Sequence, residues 1–350
     1  MVMAAAGLLA ASIVVFAPLA MAGWHITRNR VLFFSTIFFI ILAAAVHILP
    51  YAPSLSRLVS SFHSTISSLV LSSSSSPSSN LGCLHSLYAI NFFDDSDDEE
   101  KIRWAWTRKR SAAISACKFR ELHREEALEF LSGTWIVVAG DSQARYFLLS
   151  LLELLLEDPA PLRSQLFKFH SDFSHTLEDE HLRVDFFWAP YAANLTSKLL
   201  ELQHSGNGSG SSARSRSPDV IIAGAGLWHM LHVSDPSDYG ASLRDLAAAA
   251  RSLRAPHLFW LNLPVLVPGL LNTAAKREKM TAPLLSRYDE ELGRSNLTLP
   301  GGDFRVLDVK EVSSLCGRGC TGDGMHYASA VYGALVQIML QTLVLIRTSS

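Results

Sequence analysis

Apolar and polar positions divide the chain into three regimes. Residues 2–22 (VMAAAGLLAASIVVFAPLAMA) carry no charge, and residues 31–49 (VLFFSTIFFIILAAAVHIL) are interrupted only by Ser35, Thr36 and His47. Each run approaches the ~20 residues that cross a bilayer core. Residues 54–79 are dominated by serine and show no period, a composition that cannot bury enough apolar surface to offset the entropy of ordering. Further on, short apolar runs at 134–140, 183–190, 219–226, 257–267 and 304–309 predict strands. Helix-period stretches lie between and after them: 144–157, 239–254 and 326–346. Continuous apolar strands alternating with helices point to a mostly parallel sheet covered on both faces. The pattern therefore predicts a membrane anchor over 1–53, a flexible stem over 54–81 and one three-layer α/β domain over 82–350.

The last helical stretch contains 16 largely apolar residues, 331–346, with Gln337 and Gln341 among them. That length and those two amides suit a core-covering helix better than a further membrane span. The acidic run 94–100 and the Gly/Ser-rich stretch 204–218 read as solvated surface loops, as does the segment carrying His170, His175 and His181.

Charge adds orientation. Arg28 and Arg30, between the two N-terminal apolar runs, are the only Lys or Arg residues before position 57. A cytosolic loop there sends the second run, and the chain after it, into the lumen. The competing reading takes the first run as a cleaved signal peptide ending in small residues, which would leave the domain in the cytosol and a single span. The glycosylation sequons at Asn194, Asn207 and Asn296 oppose it, as does an even set of cysteines, Cys83, Cys117, Cys316 and Cys320. Four cysteines allow three pairings, and the sequence leaves the choice open. The net charge of −2, with no basic cluster, excludes nucleic acid as a partner.

Candidate chemistry lies at two turns. Gly140-Asp141-Ser142 follows the first domain strand and opens a helix, which places a hydroxyl at the carboxyl edge of the sheet with its amide at a helix N-terminus. Asp323-Gly-Met-His326 precedes the last helix. A serine is a weak nucleophile until an imidazole takes its proton, and the imidazole needs a carboxylate to fix its tautomer. Ser142, His326 and Asp323 are the expected triad, and acyl transfer or hydrolysis the expected chemistry. Metal ligation by Cys316, Cys320 and His326 lacks a fourth ligand at a useful spacing, so no metal and no bound cofactor are expected.

Four motifs carry a family resemblance over most of residues 82–350. They are GDSQAR with Arg145, VDFFWAP, DVIIAGAGLWHM and DGMH. Together they resemble the SGNH-type acyl-esterases and acyltransferases, and within them the PC-esterase group. That group includes the trichome-birefringence-like and altered-xyloglucan-type plant polysaccharide O-acetyltransferases and the luminal domain of sialic-acid and capsule O-acetyltransferases. The resemblance implies an SGNH-hydrolase-like, flavodoxin-like sheet, a Golgi location and O-acetyl transfer to a glycan, with glycan deacetylation or a non-catalytic accessory role as the alternatives. It also implies an acetyl-CoA-derived acyl donor as cosubstrate and a multi-membrane acetyl donor protein as partner. Gly224 and Leu227 stand where trichome-birefringence-like relatives have asparagine and histidine. The oxyanion hole would then rest on backbone amides at Gly224 or Gly226 and on Arg145, with Gly140 and Asp141 also among the oxyanion and substrate candidates. Trp228 and His229 are candidates for lining the acceptor groove, Trp228 also for the core.

Overall fold

The computed structural model describes residues 80–94, 102–107, 117, 119–206, 217–253, 255 and 257–348. The anchor, nearly all of the stem and the sequon at Asn207 lie outside the described residues, as does the acidic run beyond Asp94. Secondary-structure elements are numbered along the described chain.

The central strand, β3 (Trp135–Gly140), pairs in parallel with β5 (Leu182–Trp188) on one side and β6 (Val220–Gly224) on the other. The sheet continues from β6 to β7 (His257–Leu261) and β8 (Arg305–Leu307), both parallel. Counting only parallel strands along the chain, the spatial order is 2-1-3-4-5, the flavodoxin-like arrangement. Its strand order reverses between β3 and β6, so the crevice beyond their carboxyl ends is where such a sheet receives ligands.

Alternation along β3 and β6 sorts the core into two layers. Ile136, Val138, Val220 and Ile222 face one hydrophobic cluster, and Val137, Ala139, Ile221 and Ala223 face the other. The first cluster is covered by α2 (Arg124–Leu131), α3 (Ser142–Leu155) and α11 (Ser329–Arg347). The second is covered by α5 (Ala192–Gly206), α7 (Pro236–Ala250) and α9 (Ala282–Arg294). Among the described residues α11 is the one helix long and apolar enough to cross a membrane, and 67% of its most apolar window is buried. Its amides are in use: Gln337 brackets the backbone of Leu122 with bonds of 2.9 and 2.8 Å, and Gln341 donates to the carbonyl of Arg120.

Two expectations are corrected. The segment read as a histidine-bearing loop contains β4 (Phe173–Leu177), which pairs antiparallel with β5 and closes that edge of the sheet. Phe173 is buried, and the alternation is short enough to be hidden by the surrounding charges. The chain before β3 also holds structure that the sequence did not announce. It comprises α1 (Asn80–Ser86) and an antiparallel hairpin of β1 (Ile90–Asp94) and β2 (Ile102–Trp106). The hairpin is fixed to the main sheet by Tyr88, whose hydroxyl donates to the carbonyl of Val306 and accepts from the amide of Asp308.

Candidate active site

Gly140 ends β3 at φ 157°, and a Cβ there would stand 2.2 Å from the carbonyl oxygen of Gly224 on β6. Only glycine lets the two strand ends meet so closely. The turn then throws Asp141 inward as the N-cap of α3, its carboxylate accepting from the amide of Gln143 at 2.9 Å. The amide of Leu227, beyond β6, also stabilises that carboxylate. Burial pushes Asp141 up to about 6, against the opposing pull of the Gln143 amide and of His326. Ser142 is thereby set at the first position of α3, at the switch point of the sheet.

From the other side comes the loop 321–327. It is closed by a bridge between Thr321 and Tyr327 and by the amide of Ala328 donating to the carbonyl of Cys320 at 2.8 Å. Cys316 and Cys320 are disulfide-bonded at its entrance, and Cys83 is paired with Cys117. The bonded sulfurs of Cys316 and Cys320 leave no thiolate for a metal, and among the described residues no group of His, Cys, Asp and Glu could hold one. Gly324, at φ 79°, packs so tightly that a Cβ would collide with the carbonyl of Val267.

This loop brings His326 to Ser142. The Nε2 of His326 lies 2.7 Å from the Ser142 hydroxyl, and its Nδ1 lies 2.7 Å from Asp323. The other carboxylate oxygen of Asp323 accepts from the backbone amides of Met325 and His326. Burial alone would raise Asp323, but the His326 ring and these amides outweigh it and hold the carboxyl well below the usual range. The three residues thus form a continuous Asp–His–Ser relay.

The structure also places the other candidates. Arg145, one turn beyond Ser142, is 7% exposed, lies 4.5 Å over the ring of Trp188, and among the described residues its Nε and Nη2 have no hydrogen-bond partner. Trp188 ends β5 beside Gly140, and its ring also stacks on His170 at 4.7 Å. Trp228 is half-buried and meets Trp188 edge to face at 5.6 Å, so the two indoles flank the end of β3. Gly226 precedes α6 (Leu227–His232) at φ 145°, and its Cβ would press on Leu263. Gly224 is the last residue of β6, paired with Gly140. His229 does not line a groove: it is 3% exposed and bonded to Tyr288 at 2.6 Å and Asp238 at 2.8 Å. Asn194 and Asn296 are exposed.

Sequence reasoning missed Gln143 and the His170–Trp188 stack. Gln143 sits inside the very motif that marks the serine, yet its role depends on partners 182 and 189 positions away. His170 was hidden by its charged neighbours; its φ of 47°, unusual for a residue other than glycine, is visible only in the fold.

A flavodoxin-ordered sheet with a Ser–His–Asp relay at its switch point defines the class of SGNH-type esterases and acyltransferases. No family model matches the sequence. The chain is 38% identical, over an alignment 375 positions long, to "Protein ALTERED XYLOGLUCAN 9" of Arabidopsis thaliana, covering 97% of this chain and 96% of that one. It therefore belongs to the altered-xyloglucan-type, trichome-birefringence-like family. Among solved structures it is similar to TesA, with 17% identity, 60% of this chain and 98% of that one covered, and a TM-score of 0.35. It is also similar to the salicylyl-acyltransferase SsfX3, with 15% identity, 62% and 55% coverage, and a TM-score of 0.35.

Proposed function

We propose that the domain transfers an acyl group, O-acetyl, to a hydroxyl of a cell-wall glycan, with Ser142 as nucleophile, His326 as base and acid, and Asp323 as the carboxylate that orients it. The observation that carries this reading is the relay itself, with both of its hydrogen bonds at 2.7 Å. Ser142 Oγ attacks the acyl carbonyl carbon of the donor while its proton passes to Nε2 of His326. The bond from carbon to the donor's leaving atom breaks, and His326 returns the proton to that atom. An acceptor hydroxyl then gives its proton to Nε2 and attacks the acyl-serine, and Ser142 leaves with the proton restored. Developing negative charge on the carbonyl oxygen faces the Ser142 amide at the start of α3 and the unpartnered N–H groups of Arg145.

Water and sugar compete for the same acyl-serine. A hydroxyl held in line can reach an effective molarity of roughly 10⁵ M or more against about 55 M bulk water, so the groove decides the outcome. Transfer is favoured here by family membership with a protein named for altered xyloglucan and by the apolar runs at 2–22 and 31–49, which tether the domain in a lumen where glycans are built. The Golgi lumen, an acetyl-CoA-derived donor, a multi-membrane donor protein and glycans on Asn194, Asn207 and Asn296 belong to the same proposal. Mass spectrometry of the protein exposed to acetyl donor without acceptor should find one acetyl group on Ser142. An unmodified Ser142, or full activity in Ser142→Ala, would refute the mechanism. Release of acetate from acetylated glycans with no transfer would assign the site to the hydrolase alternative, and an inert protein with an intact relay would assign it to the accessory role.

A further inference from the structure

A cleft of about 510 Å³ lies between α3, α11 and strand β2, away from the carboxyl edge of the sheet. That volume falls within the range of small-ligand sites. Its lining includes Ser150, which is 6% exposed. One wall is the half-buried indole of Trp104, and the rim carries the carboxylates of Glu121 and Glu153. Against this indole, Gly333 occupies the interior of α11, where glycine costs about 1 kcal/mol relative to alanine. A Cβ at Gly333 would lie 3.8 Å from the indole nitrogen of Trp104, an ordinary contact, so alanine fits here and only a longer side chain would extend over the indole.

The cleft is aligned with the relay. Ser142, Tyr146, Ser150 and Glu153 follow one another along a single face of α3, with Ser150 roughly 12 Å beyond Ser142 along the axis. Tyr146 stands between them with its ring 5.1 Å from that of His326. Ser329 and Ala330, three and four residues past His326, form the near end of the cleft.

Resting on the acyltransfer reading, we infer that this cleft is a second glycan-binding subsite, which holds sugars of the acceptor chain distant from the hydroxyl being modified. A flat aromatic wall, an N–H donor, two carboxylate acceptors and a serine hydroxyl are the complement of a polyhydroxylated ring: hydroxyls donate to the carboxylates, and the C–H face lies on the indole. Arg103 in the same lining offsets the acidic rim, which favours a neutral glycan over a cation.

The test uses the full chain. Hydrogen exchange over residues 102–106 and 329–337 is followed in Ser142→Ala, with xyloglucan, xylan and mannan octasaccharides as probes and cellobiose as the short control. Protection by at least one octasaccharide but not by cellobiose is expected. In the active protein, Gly333→Leu and Glu153→Gln should raise KM for that octasaccharide about tenfold while leaving kcat and the disaccharide reaction unchanged, the signature of lost uniform binding. Gly333→Ala should fold and act normally. Absence of protection with all three octasaccharides, or an equal rise in KM for short and long acceptors, would overturn the subsite. Protection without any acetyl transfer would instead retain the subsite and sink the acyltransferase reading.

Discussion

Gln143 donates its side-chain amide to the carbonyl of Met325 at 2.8 Å, so the neighbour of the nucleophile in sequence holds the neighbour of the base. Its carbonyl oxygen accepts from Tyr332 on α11 at 2.8 Å, and the residue is 4% exposed. Gln143→Ala would leave the carbonyl of Met325 without this donor and the Tyr332 hydroxyl, which still accepts from the Tyr327 amide, without its acceptor, costing about 1–3 kcal/mol each. The larger effect should be on chemistry, because the distance from His326 to Ser142 depends on this bond. A fall in kcat on the order of 10²-fold, with KM little changed, is expected from steady-state kinetics beside a thermal melt. Equal activity in a destabilised variant would show that the loop holds its place without Gln143.

The two motifs that meet in the relay and the parallel strands were legible in the sequence because each is local, although the contact between the motifs spans 184 positions. Five apolar runs mark β3, β5, β6, β7 and β8, and GDS and DGMH sit at chain turns. What was not legible depends on long-range partners. Helix α9 has a clear amphipathic face, but only the buried ring of Tyr288 against His229 and Tyr239 gives that face a purpose. The hairpin was masked by the acidic run that joins its strands, and β4 by flanking histidines. His229 was misjudged because an imidazole beside Trp228 reads as a groove residue, whereas Tyr288 and Asp238 satisfy both of its ring nitrogens.

The two disulfides should separate stability from activity. Cys83–Cys117 spans 34 positions and Cys316–Cys320 spans 4. Loop-closure entropy assigns the long one about 4 kcal/mol and the short one about 2 kcal/mol. The short one, however, stands three residues from Asp323 and fixes the start of the catalytic loop. Cys83→Ser should therefore lower the denaturation midpoint more, and Cys316→Ser or Cys320→Ser should lower kcat more, also beyond any loss in Asp141→Asn. The reverse ranking would mean that the loop is held by its backbone bonds alone.

Asp141 imposes a pH-dependent cost on folding. Burial raises its carboxyl from the ordinary 3.8 to about 6, so the native state holds the proton more tightly than the unfolded chain. Its contribution is most favourable below the ordinary value, declines as pH rises from about 4 to about 6, and is flat above that. Asp323 has the opposite sign, adding stability above the ordinary carboxylate value that is lost as pH falls through its depressed one. Asp141→Asn keeps an acceptor for the Gln143 amide and removes the buried charge. It should match the wild type near pH 4 and exceed it by up to about 3 kcal/mol above pH 6 in urea titrations. A constant difference across that window would exclude Asp141 as the source.

Arg145 allows the clearest separation of structure from chemistry. Its guanidinium is buried over Trp188 with two nitrogens unpartnered, and burial pushes its ionisation downward. The stacking returns on the order of 1–2 kcal/mol and the Asp141 carboxylate partly opposes the cation's desolvation, which costs several kcal/mol for a buried cation without hydrogen-bond partners. A protein that retained this side chain for packing alone would do better with an apolar residue of similar length. Arg145→Met should therefore raise thermal stability by about 1–3 kcal/mol. If the unpartnered N–H groups serve the oxyanion, the same variant should lose on the order of 10²-fold in kcat with KM nearly unchanged. Arg145→Lys keeps the charge but not the planar fork, so it should recover little of the rate. Stability and rate falling together in Arg145→Met would make the arginine a structural cation, and the oxyanion would then rest on backbone amides alone.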